Sequence, residues 1–469
     1  MASFDDWLER AREIVGENLL TDERAIEPYA HDEFAVRSYD NLPLAVVKPK
    51  TEEQVAAVVA LCAEMGVPVT ARGGGTGLSA ACVPSANGVI LSLERLNGVV
   101  EKDAANHAIT LQAGATLEKL YREVEEMHLY FPPHPGEEGA FVGGAVATNA
   151  GGARAVKYGT MKRFVAGLQV VLADGSLVDL GGKLIKSSTG YNLLDLMIGS
   201  EGTLGIMTRV TLSLLPPPGH TVTLVVPFPS VDDAMGAVAP ILDAGIIPTA
   251  VEFVEHSVLL PAERLVKKPW PTHRGSASLM IVLDGASEDA VLAACEKLAA
   301  LLEGHGALDT LLAESKAQQA DILEVRSMIY EALKEATVEL FDVCVPRAEI
   351  AAHVRFVHEL EAKYDLPLPT YGHAADGNVH THFLKRTLEN GEIGPDIPDW
   401  PAKYEAVKEE LYRDAVQRGG VISGEHGIGL SKRRHLTASL GERKVEMMRA
   451  VKRALDPKGI LNPGKIFEL

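Results

Sequence analysis

Glycine is concentrated in four regions before residue 207, and no other feature limits the fold as strongly. The first is Arg72-Gly73-Gly74-Gly75-Thr76-Gly77. The second combines Phe131-Pro132-Pro133-His134-Pro135-Gly136 with the run from Gly143-Gly144 through Thr148-Asn149 to Gly151-Gly152. Tyr158-Gly159-Thr160 is the third, and the fourth runs from Thr189-Gly190-Tyr191 through Gly199-Ser200-Glu201-Gly202 to Ile206. Any one of these is an ordinary tight turn. Four of them between strand-like runs (Val165 to Leu172, Ile206 to Leu214) imply backbone pressed against something large and flat, because glycine lets N–H groups approach a ligand with no Cβ in the way.

Within the first loop, Gly75, Gly77 and Ala80 satisfy the G-x-G-x-x-G/A dinucleotide pattern, and Glu94 follows Gly77 by 17 residues. A Rossmann unit needs a helix opening at that turn. Pro84 and Asn87-Gly88 interrupt the segment before three turns can form, so the loop is read as a backbone cradle for a pyrophosphate. Short helices are expected up to about residue 40, and a strand at Pro43 to Pro49 leads to a helix at Thr51 to Met65, where Thr51 caps an acidic first turn. Strands at Val67 to Ala71, Gly88 to Leu93 and His107 to Ala113 and a helix at Thr116 to Met127 follow. Pro216-Pro217-Pro218-Gly219 is a domain boundary. Beyond it, strands (Val222 to Val226, Thr249 to Val254, Ser278 to Leu283) alternate with helical patterns (Val231 to Ala244, Ala290 to Leu302), as in a smaller α+β domain. One long helix is expected from Glu314 to Ala336, and an acidic, proline-rich loop from Leu388 to Pro401. A helix then ends near Arg418, where Gly419-Gly420 stops it.

Chemistry concentrates in Thr370-Tyr371-Gly372-His373-Ala374-Ala375-Asp376-Gly377-Asn378-Val379-His380-Thr381-His382. A strand at Leu366 to Tyr371, a turn of residues tolerant of positive φ, and a strand at Val379 to Leu384 bring His373 and His380 to one end of a hairpin. His380 and His382 share a strand face. This is metal-site spacing; the alternative is structural histidines beside a turn. Glu425 and His426 lie between glycines that let the backbone bend to aim both side chains.

The formal charge of −19 works against a nucleic-acid partner. Cys62, Cys82, Cys295 and Cys344 are scattered with no Cys-x-x-Cys pair, which argues for reduced thiols and against an iron–sulfur site in this chain. The acidic N-terminal stretch lacks the basic and apolar regions of a signal peptide, and no apolar run approaches the ~20 residues of a spanning helix. A cytoplasmic protein without a transmembrane segment is expected, with peripheral membrane attachment through a partner left open.

The segments Arg72 to Gly77, Gly143 to Gly152, Tyr158 to Thr160 and Thr189 to Ile206 closely resemble the flavin-binding domain of the vanillyl-alcohol oxidase and p-cresol methylhydroxylase (PCMH) superfamily. The whole chain from about Pro43 to Phe467, including Asp456-Pro457-Lys458-Gly459-Ile460-Leu461-Asn462-Pro463-Gly464-Lys465, is similar to its branch of D-lactate dehydrogenase, glycolate oxidase flavoprotein subunit and D-2-hydroxyglutarate dehydrogenase. The resemblance implies an α+β architecture. A helical segment (1–42) precedes a PCMH-type FAD domain (43–218), a smaller ferredoxin-like α+β cap carrying substrate residues follows (219–418), and a C-terminal segment (419–469) returns to the FAD domain. It implies FAD bound by Arg72, Gly73, Gly74, Gly75, Thr76, Gly77, Pro135, Gly136, Gly143, Gly144, Thr148, Asn149, Gly151, Gly152, Tyr158, Gly159, Glu201, Gly202, Ile206 and Asn462. The first loop has no histidine of the kind that links FAD covalently in some relatives, so a noncovalent cofactor is expected.

By the same resemblance, His373, His380 and Glu425 hold a divalent metal (zinc, manganese or iron), His426 is the base, and Arg326 binds the substrate carboxylate. An imidazole, with an ordinary pKa near ~6.5, suits that proton transfer, and a guanidinium fork suits a carboxylate. The implied reaction is oxidation of a small D-2-hydroxy acid, D-lactate or glycolate ahead of D-2-hydroxyglutarate, with hydride passing to flavin N5. Electrons then leave to a separate electron-transfer flavoprotein, iron–sulfur subunit, cytochrome or quinone, from a homodimer or a subunit of a complex. An alkyl-glycerone-phosphate-synthase-like FAD transferase and a noncatalytic FAD subunit are the alternatives. Ala375 stands where the family has a turn glycine, and His382 is a further ligand, a substrate contact or strand filler.

Overall fold

The computed structural model describes residues 3–36, 39–313 and 315–469. The chain divides into two compact units: Met1–Gly151, Thr160–Pro217 and Glu425–Leu469 form the first, and Gly152–Gly159 with Pro218–Gly424 form the second.

In the first unit, Thr51 caps the helix Glu52–Met65 by accepting from Gln54 N, and Gly66 ends it at φ +68°. This helix and Phe4–Val15 bury Trp7, Val55, Val58, Val59 and Cys62 against Val69, Val89 and Leu91. Those last three lie on a four-stranded sheet ordered Leu19–Leu20, Val46–Val47, Val89–Ser92, Val69–Arg72, parallel except for its first pair. A second, antiparallel sheet has the order Val99–Asp103, Ala108–Gln112, Ile206–Ser213, Val165–Val171, Leu177–Gly181. The C-terminal segment joins this unit through a parallel bridge from Leu461 to Val69.

The second unit is a seven-stranded antiparallel sheet ordered Leu311–Ala313, His220–Phe228, Ala277–Gly285, Ala250–Glu255, Thr370–His373, Asn378–Leu384, Thr337–Cys344. The helices His256–Val266, Lys316–Ser327 and Ile329–Leu333 bury Val258, Leu259, Val325, Ile329 and Leu333 on one sheet face with Val225, Val254, Met280 and Tyr371.

Several local expectations are corrected. The single helix from Glu314 to Ala336 is two helices separated at Met328, with Glu314 outside the described residues. Val325, Ile329 and Leu333 all enter the core, so packing on the sheet directs each short segment. The helical pattern at Val231 to Ala244 also splits, at Ala237, because Pro240 has no N–H to continue the ladder. The expected loop Leu388 to Pro401 begins as a hairpin, Arg386–Glu389 with Glu392–Asp396, turned by Asn390 (φ +51°) and Gly391 (φ +72°). Two successive positive φ values make the Asn-Gly turn that two-residue hairpins favour. The strand Thr337–Cys344 is buried along nearly its whole length, and its Glu339 and Asp342 hide the apolar run by which buried strands are read.

Candidate active site

In the second unit, the histidine hairpin pairs Thr370 with Thr381, Tyr371 with His380, Gly372 with Val379 and His373 with Asn378. Alternation then places Tyr371, His373, His380 and His382 on one face. His373 and His380 are buried, with ring centroids 5.3 Å apart and planes nearly perpendicular at 88°. The turn depends on Gly377, at φ +98°, where an added Cβ would stand 2.0 Å from the Val345 carbonyl oxygen. Ala375 is not among the positive-φ residues, so alanine fits where the family has glycine. Gly377→Ala is expected to lower stability by about 1–3 kcal/mol, checked by denaturant unfolding.

Neighbouring strands contribute two carboxylates absent from the sequence reading. Glu252 stands opposite His373 and Asp342 opposite His380. Glu252 Oε1 accepts from His373 Nδ1 at 2.6 Å, and Oε2 from Arg326 Nη2 at 2.5 Å. The Arg326 guanidinium also lies 4.6 Å from the Tyr371 ring centroid. Burial pushes the Glu252 carboxyl up, but the neighbouring His373 and Arg326 outweigh it and hold the group below the usual carboxylate range. Asp342 accepts from Asn378 Nδ2, from Ser423 Oγ at 2.9 Å and from Gly424 N at 3.0 Å. It therefore anchors the chain immediately before Glu425.

His382 is engaged on both ring nitrogens. The Thr337 hydroxyl donates to Leu333 O and so accepts from His382 Nδ1 at 2.8 Å, which leaves Nε2 to accept from the Tyr371 hydroxyl at 3.4 Å. Burial, with the nearby His380, drives its pKa down to about 3, so the ring is neutral. Two buried imidazoles with carboxylate support suit a divalent cation, and with Nδ1 on Glu252, His373 would meet one through Nε2.

The remaining expected residues fall into two groups. Tyr158 and Gly159 belong to the second unit, where the Tyr158 hydroxyl donates to Asp284 at 2.7 Å. Glu425 and His426 belong to the first, and a Cβ at Gly151 would come within 2.8 Å of Glu425 Oε2. His426 O accepts from Ser79 Oγ at 3.1 Å. The Glu201 carboxylate accepts from Ile428 N and Gly429 N at 2.7 and 2.8 Å, while Asn462 Nδ2 donates to Glu201 O at 2.7 Å. Glu201 and Asn462 thus brace the segment that carries Glu425 and His426. Burial raises the Glu201 carboxyl against the pull of those two N–H groups.

Arg72 turns under the first glycine loop, where it donates to His31 O at 2.6 Å and would lie 2.1 Å from a Cβ at Gly75. Gly143-Gly144 lies in a short helix, Val142–Ala147, where a loop was expected. Gly143 packs so tightly on Ala113 that a Cβ would stand 2.6 Å away, whereas added Cβ atoms at Gly136 and Gly144 would meet nothing within 4 Å. Asn149, at φ +53°, follows this helix and accepts from Thr160 Oγ1 and Lys162 N. The buried Ser200 Oγ and Asn462 Oδ1 have no hydrogen-bond partner among the described residues. Open glycine backbone and unsatisfied buried oxygens in the same unit fit a large cofactor with many polar atoms.

The fold and these loops define a PCMH-type flavoprotein. The chain belongs to the FAD-linked oxidases: the model of their C-terminal domain matches residues 217–466, and that of the FAD binding domain matches residues 43–181. It is an FAD-dependent oxidoreductase. It is 42% identical over 444 residues to D-lactate dehydrogenase of Archaeoglobus fulgidus, covering 94% of this chain and 95% of that one. It is 35% identical to glycolate oxidase subunit GlcD of Bacillus subtilis, over 94% and 92%. Among solved structures, substrate-bound p-cresol methylhydroxylase shares the fold at TM-score 0.80 and 19% identity, covering 99% of this chain and 97% of that one. No helix among the described residues is long and apolar enough to cross a membrane.

Proposed function

We propose that this protein oxidises a small D-2-hydroxy acid, D-lactate or glycolate, to the 2-oxo acid and passes the electrons to a separate acceptor. The observation that carries this reading is the sheet face on which buried His373 and His380 lie beside Arg326, in a chain whose relatives bear the names of enzymes for such acids. FAD, when bound along the glycine loops of the first unit, supplies the two-electron acceptor. A divalent metal, when held by His373, His380 and Glu425, supplies a Lewis acid for the substrate's hydroxyl and carboxylate oxygens.

The chain's own residues bind, orient and deprotonate. Arg326 takes the substrate carboxylate; its buried Nε–H has no partner among the described residues, and five donors let a guanidinium serve Glu252 and an anion together. His426 removes the hydroxyl proton at an imidazole nitrogen, which favours departure of the C2 hydrogen with its electron pair. The free cysteines Cys62, Cys82, Cys295 and Cys344 are widely spaced in sequence, in keeping with an acceptor outside this chain.

The test is an anaerobic screen of D- and L-2-hydroxy acids with defined metals, following loss of the flavin's visible absorption. D-lactate or glycolate is expected to bleach the flavin, with the L-lactate reaction far slower. Verified removal of metal is expected to abolish bleaching while FAD stays bound. Full activity without metal would remove the metal from the reading, and no bleaching by any 2-hydroxy acid would overturn the substrate class.

A further inference from the structure

We propose that Glu252 is a positioning residue that holds His373 in the orientation and tautomer needed to present Nε2 to a metal. The inference rests on the metal reading above and assigns a task to a residue outside the histidine motif. Glu252 is 121 residues from His373 in sequence, yet the adjacent strand Ala250–Glu255 places the two directly opposite each other.

The way the carboxylate divides its oxygens carries the argument. A buried glutamate whose only task was to neutralise Arg326 would be best served by a bidentate pair, both oxygens on the guanidinium. Here Oε2 faces Arg326 Nη2 at 2.5 Å, while Oε1 is given to His373 Nδ1 at 2.6 Å. A carboxylate can only accept from that nitrogen, so the proton is fixed on Nδ1 and the lone pair on Nε2. Arg326 is held in its turn by the Tyr371 ring, and the other sheet neighbour of Glu252 is the apolar Met280. Glu252 is 1% exposed, so water does not compete for either oxygen. Arg326 balances the charge that would otherwise make a carboxylate at this depth costly.

The experiment uses FAD-loaded full-length protein stripped of metal and titrated with Mn2+ and with Co2+ against a competing chelator. Wild type, His373→Ala and Glu252→Gln are compared. The glutamine keeps the size of the side chain and loses its charge. Metal affinity in Glu252→Gln is expected to fall about 10–100-fold, with altered visible absorption of bound Co2+ and unchanged FAD content. Affinity within about twofold of wild type in Glu252→Gln, while His373→Ala abolishes binding, would overturn the positioning role and leave the metal reading intact. If wild type binds neither metal, or His373→Ala binds as wild type does, the metal reading fails and takes this inference with it. Should Glu252→Gln lose FAD, Glu252→Gln/Arg326→Gln removes both charges and is read by the same criteria.

Discussion

His426→Asn is expected to lower turnover by about 10²–10⁴-fold while FAD content stays at the wild-type level, because a positioned general base contributes that much and asparagine cannot accept the proton. The surroundings make the substitution clean. The backbone of this segment is fixed independently of the imidazole: Ser79 Oγ donates to His426 O, and Ile428 N and Gly429 N donate to the Glu201 carboxylate. Gly427 and Gly429, at φ +83° and +51°, allow the chain to follow that path. Rapid-mixing measurement of flavin reduction separates the chemical step from reoxidation by the acceptor. Reduction at a near-normal rate would remove His426 as the base, whatever the steady-state rate.

Lys452→Met is expected to destabilise the first unit by about 3–5 kcal/mol, since removing one partner of a buried ion pair leaves an uncompensated charge. Lys452 Nζ donates to Asp456 Oδ2 at 2.5 Å and to the carbonyls of Thr203 and Leu461, both at 2.7 Å. The lysine and aspartate side chains are only 4% and 0% exposed. This lysine therefore ties the fourth glycine region, at Thr203, to the helix Glu442–Leu455 and to the strand-like stretch at Leu461. At about 2–4 °C per kcal/mol for a unit of this size, the apparent melting midpoint should fall by about 6–20 °C. Adding Asp456→Leu removes the stranded charge and should recover much of the loss. A Lys452→Met variant that melts with wild type would mean that the pair is solvated and contributes little.

The sequence by itself determined the family, its FAD dependence and the hairpin bearing His373 and His380. Glycine clusters, a proline-rich boundary and Asp-Gly-Asn turn chemistry are local signals, set by what each residue permits its own backbone. The cap at Thr51 and the helix end at Met65 were legible for the same reason. Only the tertiary structure decided what surrounds the histidines. Glu252 and Asp342 come from strands distant in sequence, and nothing in their flanking residues marks one as the partner of His373 or the other as the anchor of Gly424. His382 was indistinguishable from its neighbours on spacing alone. Thr337 and Tyr371 engage its two nitrogens, and complete burial keeps the imidazole neutral. Local sequence specifies φ, ψ and side-chain period, whereas the charge state and hydrogen-bond partner of a buried group depend on residues brought beside it by sheet register.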